Sequence, residues 1–144
     1  MSFVRRLKNV FAPTATEPAD APGIVYAPEI DGEPDPGEVV WGWVPYEDDP
    51  SQGKDRPVVV IGWAGDRLAV VPTSSRGPDD RPHPESWVSI GSGRWDREGR
   101  TSYANLERIL RVPESDVRRE GATLDRPHFD QLIAALRRTN PSLL

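Results

Sequence analysis

The sequence predicts a mainly β protein: a small barrel-like antiparallel sheet with an α-helix at its C-terminal end. Three observations predict it. Strand-length runs rich in Val, Ile, Trp and Leu recur between residues 38 and 112, bounded by Gly, Pro, Asp or Ser. After residue 125 the apolar spacing becomes helical. Finally, 16 prolines in 144 residues leave room only for short elements. Several short strands and one closing helix describe a small barrel.

The elements follow in order. Residues 1–11 carry Phe3, Val4, Leu7, Val10 and Phe11 at the spacing of one helix face, with Arg5, Arg6 and Lys8 around it. A short amphipathic helix is expected there, docked on the domain or frayed, with contact to a membrane surface or a partner as the sharper readings. Residues 12–35 are rich in Pro, Ala, Asp and Glu, bury too little apolar surface to offset ordering, and read as an acidic linker. Inside it, residues 23–27 form an apolar patch suited to an added edge strand. The domain itself is expected over residues 36–144.

Residues 38–44 read as a strand with Val39, Trp41 and Trp43 on one face and Val40 and Val44 on the other. A polar, acidic loop is expected over 45–55. Residues 57–63 are almost continuously apolar, as a central strand covered on both faces must be. A tight turn at 64–66 joins it to a strand at 68–71, making a hairpin. Residues 73–84 form a second polar loop, 87–90 a strand and 91–100 a glycine-bearing connection. Residues 103–112 alternate as one long strand, and 114–119 suit one or two helical turns. In the last element Asp125 is placed to cap a helix with Pro127 in its first turn. Phe129, Leu132, Ile133 and Leu136 make its apolar face, and Arg137 and Arg138 stand at the negative end of its dipole.

Composition bounds the chemistry. The absence of cysteine excludes disulfides, thiolate metal sites and cysteine nucleophiles. No apolar run approaches the roughly 20 residues of a membrane span. The basic start lacks a long apolar block and a small-residue cleavage site, so no secretory signal and a cytoplasmic location are expected. The net charge of -5 argues against nucleic acid, because phosphate binding leaves a basic footprint. Between Pro13 and Pro36, however, every charge is acidic, so the remainder is near neutral and any phosphate groove must be built from local arginines.

No Gly-rich phosphate loop and no paired-histidine metal spacing occurs; His83 and His128 are expected to be exposed residues rather than ligands. What remains is a pattern on the hairpin. Arg56 begins one arm and Thr73 ends the other, and in an antiparallel pair those ends are neighbours. A guanidinium offers a fixed fork of donors to phosphate oxygens, and a threonine hydroxyl donates to an oxygen or accepts from a ribose hydroxyl. Together they suit an anion or a phosphodiester. Two such residues at strand ends are more often solvent-facing structural positions.

The run Pro36-Gly37-Glu38-Val39-Val40-Trp41, the run Gln52-Gly53-Lys54-Asp55-Arg56-Pro57 with its following Val-Val-Val-Ile strand, and Val71-Pro72-Thr73-Ser74 resemble the PemK/MazF family of toxin endoribonucleases. The segment Asn105-Leu106-Glu107-Arg108-Ile109 is similar to the family's Leu-x-Gln-Ile strand. The resemblance covers residues 36–136. It implies an SH3-like barrel assembled as a homodimer. It implies cleavage of single-stranded RNA with no metal or other cofactor, the RNA's own 2′-hydroxyl attacking phosphorus. It further implies a toxin of a type II toxin–antitoxin system, restrained by a cognate antitoxin and meeting DNA only through the antitoxin complex. The family's catalytic arginine and threonine match Arg56 and Thr73.

In the family two loops line the RNA groove. The matching residues are Ser51 and Gln52 in the first loop and Ser74, Ser75 and Arg76 in the second, with Arg81 a weaker candidate further along. This chain departs from the pattern: the acidic position before Gln52 is Ser51, and the acids stand at Glu47, Asp48 and Asp49. The histidine that some members use in catalysis has no match. Trp41, Trp43, Trp63 and Trp87 are expected to fill the core or a dimer interface, and Trp95, in a polar connection, to be the stacking platform. A non-catalytic RNA- or partner-binding module on the same fold is the alternative function. The acidic linker lying across the groove is a further expectation.

Overall fold

The apolar run at residues 57–63 becomes the middle of the sheet. In the computed structural model, which describes residues 34–141, the central strand β2 (Gly53–Ala64) lies between β1 (Glu38–Pro45) and β3 (Arg67–Ser74). The expected helix over 1–11 and the linker up to residue 33 lie outside the described residues. The strands β4 (Trp87–Gly91), β5 (Ser102–Asn105), β6 (Leu110–Val112) and β7 (Val117–Thr123) complete an antiparallel sheet of seven strands. Its order is β4-β5-β3-β2-β1-β7, with β6 also pairing β3. The helix α1 (Arg126–Thr139) closes an SH3-like small barrel.

The β2–β3 hairpin closes at Ala64↔Arg67 through the two-residue turn Gly65-Asp66, with Gly65 at φ 68 in the position where a tight hairpin needs glycine. A register shift follows: Val60 pairs Val70 but Gly62 pairs Ala69, so Ile61 is an extra residue. The central strands are buried on both faces. Val39, Val59, Ile61 and Val71 pack with Phe129, Leu132 and Leu136 of α1 in one core. Val40, Val58, Val60, Leu68 and Val70 form a second core on the opposite face, against Leu110, Val112 and Val117. Each fully buried aliphatic side chain contributes about 1.5–3 kcal/mol relative to exposure, so this run organises the fold.

The helix is built as its sequence suggests. The Asp125 carboxylate accepts the His128 backbone N–H at 2.8 Å, and Phe129, Leu132, Ile133 and Leu136 are buried. At the other end of the chain, the Glu38 side chain is 0% exposed. It accepts from Arg119 Nε at 2.7 Å and Nη2 at 2.9 Å, and from the Asp35 backbone N–H at 3.1 Å.

Four expectations are corrected. The long strand over 103–112 is two strands, because Asn105 makes a side-chain-supported turn, its Oδ1 accepting the Glu107 N–H at 2.9 Å. β5 then pairs Thr73 and Ser74 while β6 pairs Leu68 to Val70, on either side of Pro72, which has no N–H to offer a ladder. The helical turns over 114–119 shrink to a 3₁₀ turn at Glu114–Asp116, followed by β7. The 45–55 loop is shorter, since β2 already begins at Gly53. Trp95 is a core residue, 3% exposed, its Nε1 donating to Ser102 Oγ at 2.9 Å. Its N–H finds a partner inside, so it is no stacking platform. By contrast Trp43 is 57% exposed.

Candidate active site

The end of β1, the start of β2 and the end of β3 meet at one edge of the sheet. Register places Arg56 opposite Gly42, and the pair Val58↔Pro72 puts Thr73 beside Pro57. Gly53 permits this meeting. A Cβ there would stand 2.5 Å from the Val44 carbonyl oxygen and 2.9 Å from Trp43 Cε2, so only glycine lets the strands close where the loop ends. The result is an open cleft of about 460 Å³ whose lining includes Arg56, Thr73, Ser74, Arg76 and Arg81.

Each of these side chains has a distinct situation. Arg56 is half-buried on β2, and its side chain makes no hydrogen bond or ion pair among the described residues. Thr73 is only 1% exposed and forms part of the cleft wall. Its Oγ1 donates to the Pro57 carbonyl at 2.8 Å, so what remains to the hydroxyl is its capacity to accept. The Ser74 hydroxyl oxygen accepts the Arg76 backbone N–H at 3.1 Å and Arg81 Nη2 at 2.9 Å. Arg76 Nη2 donates to the Asp80 carbonyl at 2.7 Å. Arg81 lies with its guanidinium carbon 3.8 Å from the centre of a Trp87 ring, while its buried Nε has no acceptor.

The electrostatics follow from that packing. Burial and then the neighbouring positive charges of Arg76 and Arg56 hold the Arg81 guanidinium below its ordinary pKa, with Asp80 opposing weakly. Arginine nevertheless stays charged at any physiological pH. Two acids reach the cleft, Glu47 and Asp48, and Glu47 pairs with Arg108 at 3.3 Å. The guanidiniums of Arg56, Arg76 and Arg81 therefore share one cleft without a carboxylate ion pair among the described residues. Such a group attracts an anion with several oxygens, and a phosphodiester fits.

The structure brings Arg56, Thr73, Ser74, Arg76 and the weaker candidate Arg81 together and leaves three of the expected set apart. Ser51, Gln52 and Ser75 are exposed and do not line the cleft. Ser51 instead donates through Oγ to Asp49 Oδ1 at 2.6 Å, holding the turn of the first loop. Trp87, Asn105 and Arg108 line the cleft without having been singled out as site residues. The signal for Trp87 was its place directly after a proline- and arginine-rich loop, but β-branched neighbours made it read as core. His83 faces Glu85 at 3.7 Å and His128 faces Asp125 at 2.8 Å, both away from this lining. Among the described residues, no group of 3 or more His, Asp or Glu is arranged to hold a metal ion, and no helix is long and apolar enough to cross a membrane.

Fold and site together define a class: a small antiparallel barrel whose open edge carries an arginine-rich cleft. The family is narrower. Residues 35–139 match the PemK-like, MazF-like toxin of type II toxin–antitoxin systems, and the chain belongs to that family. Membership gives it a toxin role and implies a cognate antitoxin as partner. Comparison with individually curated proteins finds no match.

Proposed function

We propose that the protein is a metal-independent endoribonuclease that cuts single-stranded RNA, working as a cytoplasmic homodimer until its antitoxin binds. The observation that carries the reading is the trio Arg56, Arg76 and Arg81 around one cleft that also holds Thr73. In the reaction the 2′-oxygen bonds to the adjacent phosphorus and the bond from phosphorus to the 5′-oxygen breaks. A cyclic phosphate and a free 5′-hydroxyl result, the 2′-hydroxyl having lost a proton and the 5′-oxygen having gained one.

Arg56 stabilises the extra negative charge of the phosphorane, its donors having no partner to release first. Thr73, with its own proton engaged by Pro57, accepts from the attacking ribose hydroxyl and holds it in line. That hydroxyl is what distinguishes RNA from DNA. Of the lining groups, Glu47 and Asp48 have the chemistry of a base at neutral pH. Ser51, Gln52 and Ser75, on the flanking loops, meet RNA beyond the cleft. Assembly with a protein partner is supported by Trp43, whose exposed indole borders an apolar depression lined by Leu110, Val112 and Val117.

One observation favours a second reading, a non-catalytic binding module. A threonine that is 1% exposed, with its hydroxyl bonded to a carbonyl, also serves as a plain strand-to-strand staple. The experiment is incubation of the pure protein with a long RNA in the presence of a chelator. Cuts with 5′-hydroxyl ends are expected, and Arg56→Ala slows them about 100-fold or more. Absence of cuts, or equal cutting by the variant, overturns the nuclease reading. Binding without product then favours the module.

A further inference from the structure

The loop between β3 and β4 holds a side chain in an arrangement that packing alone does not favour. Arg81 sits among the charges of Arg56 and Arg76, with its Nε buried and without an acceptor. Leaving a buried donor unmet is unfavourable, and so is gathering like charges. Yet the side chain is held there twice over, flat on Trp87 at 3.8 Å and bonded to Ser74 Oγ at 2.9 Å. Asp80, the residue before it and the last of the 3₁₀ turn Pro78–Asp80, contributes its carbonyl to Arg76 rather than its carboxylate to Arg81. A guanidinium that is fixed, partly buried and offset by no carboxylate ion pair is preorganised for an anion.

We propose that Arg81, clamped on Trp87, holds a second phosphate of the bound strand, the one neighbouring the phosphate gripped by Arg56. This deepens the phosphodiester reading and rests on it: the ligand is a strand with at least two successive phosphates, not a mononucleotide or a dinucleotide. The lining sets the guanidiniums of Arg56, Arg76, Arg81 and Arg108 against the carboxylates of Glu47 and Asp48, and the surplus of positive charge still exceeds what one singly charged phosphodiester can balance. The Trp87 ring keeps the Arg81 guanidinium in place while Ser74 Oγ, accepting from Arg81 Nη2 and from the Arg76 backbone N–H, ties it to the start of the loop. The loop residue thereby sets a minimum substrate length.

The test is binding, read by fluorescence anisotropy across a salt series. The ligands are a labelled single-stranded 2′-O-methyl RNA, which cannot be cleaved, and a labelled 2′-O-methyl dinucleotide with a single phosphodiester. Arg81→Ala should weaken the longer strand about tenfold and lower its salt slope by about 0.7, the loss of one contact on a single strand. The dinucleotide should lose less than about twofold, whereas Arg56→Ala weakens both ligands. Arg81→Lys should keep the slope, and Trp87→Leu should weaken the longer strand while keeping it too. Arg137→Ala, an exposed cation on α1, should change nothing. An unchanged slope in Arg81→Ala, an equal loss on both ligands, or no binding of the longer strand by the wild type overturns the proposal. A wild type that binds with the expected slopes but does not cut RNA refutes the nuclease reading and leaves the second phosphate contact standing. One that cuts, with a slope indifferent to Arg81, does the reverse.

Discussion

The two ends of β1 handle arginine in opposite ways. At its start, Arg119 meets Glu38, a carboxylate that is 0% exposed, through two bonds of 2.7 and 2.9 Å, and Glu38 has the Asp35 N–H as well. At its end, Arg56, Arg76 and Arg81 gather with no carboxylate ion pair among the described residues. The first arrangement is closed: every strong donor shown there has an anionic acceptor, and nothing further is required. The second is open, and under the proposed function its favourable completion is a bound polyanion. Both lie within the part of the chain that matches the toxin family, so one family match contains a structural half and a half proposed to bind the ligand.

The largest effect should come from opening the closed end. Glu38→Ala removes the buried carboxylate that accepts from Arg119 and from the Asp35 N–H, and should lower stability by about 3 kcal/mol, read by urea or thermal unfolding. The double replacement Glu38→Met with Arg119→Leu should recover most of that loss, because a pair and its desolvation leave together. Arg56→Ala at the open end should change stability by less than about 0.5 kcal/mol while removing activity. If Glu38→Ala were as stable as the wild type, the two ends would not differ in the way described.

A middle-sized effect tests Thr73, which belongs to both halves. Thr73→Val keeps shape but leaves the buried Pro57 carbonyl without its donor, and should be less stable by about 1–3 kcal/mol. Thr73→Ser retains the hydroxyl and should behave like the wild type in cleavage. If the hydroxyl also positions the ribose, kcat of folded Thr73→Val falls at temperatures well below its unfolding midpoint. A stability loss with unchanged kcat would assign Thr73 wholly to the closed half.

Much of this was legible in the sequence, for reasons that differ by element. The central strand was visible because Val58 to Ile61 are buried on both faces and therefore apolar without alternation. The α1 helix was visible because its cap and its apolar face are local. β7 was not, because the inward sites of its Val-Arg-Arg-Glu-Gly-Ala-Thr stretch are filled partly by Arg119, whose partner lies at sequence position 38. A strand whose inward charge is neutralised by a distant residue shows no apolar period. The Arg56–Thr73 proximity followed from hairpin register even though the extra residue Ile61 shifts it. The Arg81–Trp87 contact did not, because a proline-broken loop sets no register and two 3₁₀ turns fold it back. Trp95 misled because a tryptophan in a polar stretch gives no sign that Ser102 will receive its N–H.

The smallest effect concerns an acid compensated by backbone rather than by an arginine, a third case beside the two ends of β1. Asp125 caps α1, and the His128 backbone N–H, more than burial opposes, together with the His128 side chain, holds its carboxyl below the usual aspartate range. A depressed folded-state pKa means that the contribution is complete above the unfolded value of about 3.9 and is lost as pH falls through the lower folded value. Asp125→Ala should therefore destabilise by about 1 kcal/mol near neutral pH, the usual worth of such a cap. Against the wild type, that difference should shrink in unfolding measurements as the pH is taken below about 4. Asp125→Asn, which caps without a charge, should keep its stability over the same range. A difference between Asp125→Ala and wild type that stayed constant into acid would mean that the carboxylate's charge plays no part, and that closure by backbone donors is a matter of hydrogen bonding alone.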